Sequence, residues 1–273
     1  MLNRILMLTA VLLFVDYSQV RTQEPPIVPG ASVPGQKAPQ ELFAEDGGAR
    51  GDILESIVIP PKAKAPFTLT LETEWERWLN DGGTITTANK RRIARDAEGR
   101  IYQERWLLAP KNTKYESVMT TIQIADPIAH TAISCFVRDP KKRCQLVTYT
   151  PSPDTVFNFQ GPASGQFADG SGDIARVDLG KQLVSGVEAT GTRITVHYRA
   201  GAFGNSRPMT IEREFWYAAP LGFNLLSKRS DPRFGSQTFT VTNLILADPD
   251  PKLFELPEGF TVVDERRTAP PEN

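Results

Sequence analysis

The sequence predicts a mainly β protein: a strongly curved antiparallel sheet or incomplete β-barrel of about ten strands, with little helix. Three observations predict it. Segments rich in Thr, Ile, Val and aromatic residues alternate polar with apolar positions from Pro66 onward. Turn signals built on Gly, Asp and Pro separate them at short intervals. No convincing long helix follows the N-terminal apolar run.

The chain has 273 residues, 40% of them hydrophobic and 23% charged, which is globular composition. With 31 basic and 32 acidic side chains it lacks the basic excess of a nucleic-acid binder. Met1 to Val20 reads as a signal peptide. Arg4 supplies the positive start, and Ile5 to Val15 is apolar apart from one threonine and is closed by Asp16. As a helix that run would rise only about 16 Å, against a hydrocarbon core of about 30 Å. The protein is therefore expected in the periplasm or secreted, with an uncleaved N-terminal anchor as the alternative. No later stretch is apolar enough to span a membrane as a helix.

Residues 21–52 read as a flexible linker, with Pro25, Pro26, Pro29, Pro34 and Pro39 followed by the glycine-rich run 46–52. Residues 53–265 read as one β domain and 266–273 as a flexible tail. The first hairpin is expected to turn at Asp81-Gly82-Gly83 through three residues. That register sets Leu71 opposite Ile93, Glu72 opposite Arg92 and Glu74 opposite Lys90, pairing apolar residues and opposite charges. The second is expected to turn at 96–99, setting Ile93 opposite Tyr102 and Asn89 opposite Trp106. One face would then carry Leu71, Trp75, Ile85, Ile93, Tyr102 and Trp106.

A further hairpin turns at Asp139-Pro140, and 151–180 reads as a long loop. Strands follow near 192–199, 209–218, 223–229 and 237–246. Asp250 and Pro251 start a capped helical turn, and 260–263 forms a last short strand.

Cys135 and Cys144 are the only cysteines. If Phe136 pairs with Arg143, the two fall directly opposite each other, as a cross-strand disulfide needs. The alternative, a redox or metal pair, finds no partner ligands. The chain has only two histidines, His130 and His197. No G-x-S-x-G elbow, P-loop or dinucleotide fingerprint occurs. The run Asp169-Gly170-Ser171-Gly172-Asp173 lacks calcium-loop spacing. No catalytic residue, metal site or cofactor is expected. Lys90, Arg91, Arg92 and Arg95 form a basic cluster, read as a charge-paired sheet surface.

The C-terminal third resembles a known group. Leu179-Gly180, Gly186-Val187-Glu188, Gly204-Asn205, Pro208, Glu214 and Trp216-Tyr217 are similar to positions in an uncharacterised family of exported bacterial proteins. The ending Asp250-Pro251-Lys252-Leu253-Phe254 through Pro257 and Gly259-Phe260 is similar to that family's closing motif. More distantly it resembles the periplasmic lipoprotein-carrier (LolA-like) superfamily. That resemblance implies a half-barrel holding acyl chains on its concave side under a helical lid, for which this sequence offers no long amphipathic helices. The expected function is thus an exported envelope protein binding a hydrophobic or lipid-like ligand, with Trp75, Tyr102, Trp106 and Trp216 on the interior face. The alternative is a structural or protein-interaction module that meets an envelope protein and has no catalytic activity.

Overall fold

The computed structural model describes residues 57–151 and 161–266. The expected signal peptide and linker, and all but one residue of the expected tail, lie outside them. The described residues form one sheet of 14 strands that does not close into a barrel. The strands are β1 (Phe67–Trp78), β2 (Thr84–Arg95), β3 (Ile101–Trp106), β4 (Ala109–Pro110), β5 (Met119–Asp126), β6 (Thr131–Phe136) and β7 (Arg143–Thr148). They continue as β8 (Gly165–Gln166), β9 (Gly172–Val184), β10 (Val187–Tyr198), β11 (Met209–Ala218), β12 (Phe223–Asp231), β13 (Gly235–Ile245) and β14 (Thr261–Asp264). The order is β14-β7-β6-β5-β3-β2-β1-β13-β12-β11-β10-β9-β8, with β4 beside β2. All pairs are antiparallel except β14 on β7. The class matches the expectation, and the count exceeds it partly because β4 and β8 are two-residue strands.

β1 joins the two halves. Its odd residues Phe67, Leu69 and Leu71 are buried, and its even residues Glu72, Glu74 and Glu76 are only half-buried. This period-2 pattern defines an inner and an outer face. The inner core adds Ile93, Ile101, Phe223, Leu225, Phe239 and Val241, and Ile57 and Ile59 pack on it from the segment before β1. Register shifts in β1–β13, β9–β10, β11–β12 and β3–β5 bend the sheet. The β9–β10 turn folds back until Ser185 Oγ donates to the Val241 carbonyl of β13 at 2.5 Å.

Both early hairpins depart from the expected register. The first turns through 79–83, closed by Leu79 N–H on the Gly83 carbonyl and Gly83 N–H on the Asp81 carboxylate. Leu71 therefore faces Arg91, Leu69 faces Ile93, and Glu72 faces Lys90, 2.7 Å away. This two-residue shift leaves every side chain on its expected face. The second turns through 96–100, where Asp96 accepts from the N–H groups of Glu98 and Arg100. Ile93 then pairs with Gln103 and Ala94 with Tyr102. The one-residue shift moves Tyr102 to the outer face, where it packs with Ala94 and Ile124 beneath Leu253 and Phe254.

Those two residues belong to the expected capped turn, a 3-10 turn spanning Pro251–Phe254, with the Asp250 side chain accepting from Lys252 N–H. Residues 172–180, expected in a loop, begin β9 instead, because β10 supplies a full-length partner. Cys135 and Cys144 sit directly opposite in β6 and β7 and are joined by a disulfide. Closing so short a loop contributes about 3 kcal/mol in the chain-entropy account.

Candidate functional site

The four aromatic residues expected on the interior face are placed in three settings. Trp75 is buried on the inner face, its indole Nε1 donating to the Phe234 carbonyl at 2.7 Å. Tyr102 and Trp106 come together on one carboxylate: the Tyr102 hydroxyl donates to Glu104 at 3.0 Å and Trp106 Nε1 at 2.9 Å. Trp216 joins the apolar core, and its Nε1 donates to Glu214 at 2.9 Å. The structure therefore unites Tyr102 with Trp106 and leaves Trp75 and Trp216 apart from them.

A shared device underlies two of these settings. Glu104 and Glu214 each lie two residues before a tryptophan on the same strand face, so the indole N–H reaches the carboxylate. Each is also met by an arginine from the neighbouring strand: Arg92 at 3.2 Å from Glu104 and Arg193 at 2.7 Å from Glu214. Between β2 and β3 the ladder opens, and Glu104 accepts the Arg92 backbone N–H in place of a carbonyl. The same Glu-x-Trp spacing recurs at Glu76 and Trp78, where the contact is exposed. That spacing is the signal in the sequence that would have found these networks.

Burial alone would raise the Glu104 and Glu214 pKa values. The tryptophan donors, the arginines and, for Glu104, Tyr102 outweigh it and hold both below the usual carboxylate range. Asp231, fully buried, is likewise held low against its own desolvation by Arg233 and Arg229. Burial and the adjacent Glu104 push Tyr102 up to about 12.

A carboxylate with a depressed folded pKa stabilises the fold above its unfolded pKa, and that stabilisation is lost as pH falls through the folded value. Stability is therefore expected to be full at neutral pH and to decline as pH drops below about 4, where unfolded carboxylates protonate. Urea midpoints measured at pH 7 and pH 3 should show this fall. Glu104→Gln should flatten it, and a midpoint unchanged between the two pH values would contradict the assignment.

The inner face also carries arginines that the alternation of β1 and β11 could have revealed. Paired residues share a face, so the direct pairs Trp75 with Gln237, Gln237 with Arg229, Arg229 with Arg213, Arg213 with Ile194 and Ile194 with Arg176 make one row across five strand junctions. Arg77 lies over the Trp75 ring at 5.0 Å. On the other side of β1, Arg91 faces Leu71 and reaches the Gln103 side chain at 3.2 Å, and Arg105 donates to Gln123 at 2.7 Å. Burial first, then the charge of Arg105, lowers the Arg91 pKa to about 9, and burial lowers that of Arg105.

Along β11, β12 and β13, Glu212, Glu214, Lys228, Arg229, Gln237 and Thr238 are among the residues lining a partly open hollow of about 250 Å³. Among the described residues no group of three or more His, Cys, Asp or Glu could hold a metal ion. Among them, too, no helix is long and apolar enough to cross a membrane.

No protein-family model matches the chain, and no curated protein matches it. Solved structures do. The MucA/MucB complex of Pseudomonas aeruginosa matches at 14% identity with a TM-score of 0.34, over 73% of this chain and 58% of that one. This chain thus spans less than two thirds of that protein's length. Lipoprotein LppX of Mycobacterium tuberculosis matches at 8% identity and TM-score 0.27, over 67% of this chain and 88% of that one. A LolA superfamily protein of Nitrosomonas europaea matches at 6% and 0.26, over 70% and 90%.

Proposed function

We propose that this chain is an exported, non-catalytic binding module of the cell envelope whose inner sheet face receives a hydrophobic or lipid-like ligand. The observation that carries the reading is the open sheet itself. Its inner face gathers Phe67, Leu69, Leu71, Ile93, Phe239 and Val241 from neighbouring strands into a core, buried with Ile57, Ile59, Val184 and Val187, without the closure that would seal a barrel. The β9–β10 turn, resting on β13 through Ser185, is the element that would lift to admit a chain.

Export is supported by the leader and by the Cys135–Cys144 disulfide, since such bonds persist in oxidising compartments. The binding rather than catalytic character is supported by Glu104 and Glu214. Both are held ionised by fixed donors, the opposite of the raised pKa that suits a carboxyl acting as general acid near neutral pH. Native mass spectrometry of the full chain purified from an envelope fraction tests the reading. Adducts of lipid mass are expected, and recovery of the bare polypeptide alone, under conditions that preserve known lipid complexes, would overturn it.

A further inference from the structure

Three strand connections meet at one end of the sheet. β1 runs toward Trp78, β3 toward Trp106 and β6 toward Phe136, and the antiparallel β2, β5 and β7 start again at Thr84, Met119 and Arg143. Residues 79–83, 107–118 and 137–142 therefore emerge at the same end. Main-chain bonds tie them together. Lys111 N–H donates to the Thr86 carbonyl at 2.8 Å, Leu107 N–H to Val118 at 2.9 Å and Val137 N–H to Thr120 at 2.9 Å.

This end is apolar where turns are ordinarily polar. Trp78, Leu79, Ile85, Leu107, Tyr115 and Val118 are all exposed, Leu107 by 50% and Tyr115 by 64%. Single exposed apolar residues are common on any protein, whereas six on turns bound to one another mark an interaction site. The aromatic members keep polar company. Trp78 Nε1 donates to Glu76 at 3.2 Å, and Lys114 Nζ stands 5.8 Å from the centre of the Tyr115 ring. Rings with one wet edge, and lysines whose stems lie on apolar surface, are the side chains that settle at a lipid–water interface.

Charge points to the same occupant. Beside the apolar patch, Arg138, Lys141, Lys142 and Arg143 are exposed around a single acid, Asp139, which Arg143 meets at 2.6 Å. Thr261 N–H donates to the Lys142 carbonyl, which brings 258–260 to this end as well. With Lys111 and Lys114 the end holds six basic side chains, against the four acids Asp81, Glu116, Asp139 and Glu258, and Lys111 is met by Glu74 of β1. At the other end of the same strands, connections 96–100 and 127–130 hold Asp96 and Glu98 against Arg100. A basic turn next to exposed aromatic and aliphatic side chains is complementary to a membrane with anionic headgroups. Apolar tips raised on separate turns also suit a fluid surface, which needs no matching shape, better than the closely fitted core of a protein interface.

We propose that this end of the sheet docks on an anionic lipid surface, with Trp78, Leu79, Leu107 and Tyr115 entering the interface and the 137–143 turn meeting the headgroups. The docking surface lies outside the inner face and holds whether or not that face carries a ligand.

Quenching of tryptophan fluorescence by lipids brominated on their acyl chains tests it. The full chain is mixed with vesicles of phosphatidylcholine, alone or with added phosphatidylglycerol. The leader has no tryptophan, so its own membrane affinity is not read. Quenching is expected on the anionic vesicles, and Trp78→Phe should remove most of it, because Trp75 and Trp216 are buried and Trp106 is bonded to Glu104. Arg138→Ser and Lys141→Ser should each weaken the docked state about fivefold, the scale of one basic side chain at such a surface. Raised salt should weaken it too. Both side chains are exposed, so neither change disturbs the core. Quenching equal on the two vesicles and insensitive to salt would overturn the anionic surface. Quenching that survives Trp78→Phe would place the contact elsewhere and overturn the docking end. No quenching on either vesicle would overturn the proposal and leave a protein as the occupant. The native chain's preference between vesicles keeps the test decisive if a variant fails to fold. A bare polypeptide mass in the lipid-adduct experiment would leave this result untouched, so the two readings fail separately.

Discussion

Arg95→Met is expected to cost about 3–5 kcal/mol of folding stability, among the largest losses available to one substitution outside the apolar core. Arg95 is fully buried at the end of β2. Its guanidinium donates to the Ala65 carbonyl from Nε at 3.0 Å and from Nη2 at 2.8 Å, to the Pro60 carbonyl at 2.8 Å and to the Leu221 carbonyl at 3.0 Å. It also lies over the Phe67 ring at 4.8 Å. Burial pushes its pKa down to about 10, and three main-chain carbonyls take the place of a carboxylate partner.

Methionine fills a similar volume and offers no donor, so those carbonyls would lose their partner inside the fold. The segment before β1 and the β11–β12 turn would lose the side chain that ties both to β2. Urea denaturation measures the loss. Limited proteolysis should show 57–66 becoming the first cleaved part of the described sheet domain. A loss below about 1 kcal/mol would mean that the carbonyls rehydrate at little cost.

Gly235→Ala is expected to be comparably damaging, by about 3 kcal/mol or more, through geometry rather than charge. Gly235 opens β13 with φ of 88°. A Cβ there would meet the Glu76 carbonyl oxygen at 1.9 Å and Arg77 Cα at 2.9 Å. β1 and β13 would have to separate at the junction that joins the two halves of the sheet. Gly82→Ala is the control, because Gly82 shares the conformation, with φ of 85°, but a Cβ there has nothing within 4 Å. It should cost about 1–2 kcal/mol, the left-handed backbone penalty alone. Urea midpoints for the two variants separate the terms, and equal losses would show that the sheet accommodates the contact at Gly235.

The class of fold was legible because alternation and turn residues are local signals. β1 shows it well: its odd residues from Phe67 to Trp75 are buried as the pattern requires. Register was less legible, because it depends on how many residues a turn consumes, and side chains such as Asp81 and Asp96 decide that. A one-residue difference at 96–100 was enough to send Tyr102 to the other face. β9 was hidden by its Gly and Asp content, which reads as loop until β10 is seen alongside it.

Of the candidate site, the positions of Trp75 and Trp216 in buried settings follow from their strands. The pairing of Glu104 and Glu214 with tryptophans needed only the spacing, which was in plain view. Of the cluster Lys90, Arg91, Arg92 and Arg95, expected at a charge-paired surface, Arg91 and Arg95 turn inward because residues adjacent in sequence alternate between faces once the strand forms.

That alternation has a bearing on how the molecule behaves as a charged body. A net charge of −1 suggests an object with almost no electrical preference. Yet on the outer face Lys90, Lys111, Arg92, Arg193 and Lys228 each stand within reach of a glutamate, so the neutrality is built pair by pair. Opposite charges held that close leave little field at a distance, so this face exerts little long-range pull on a charged partner.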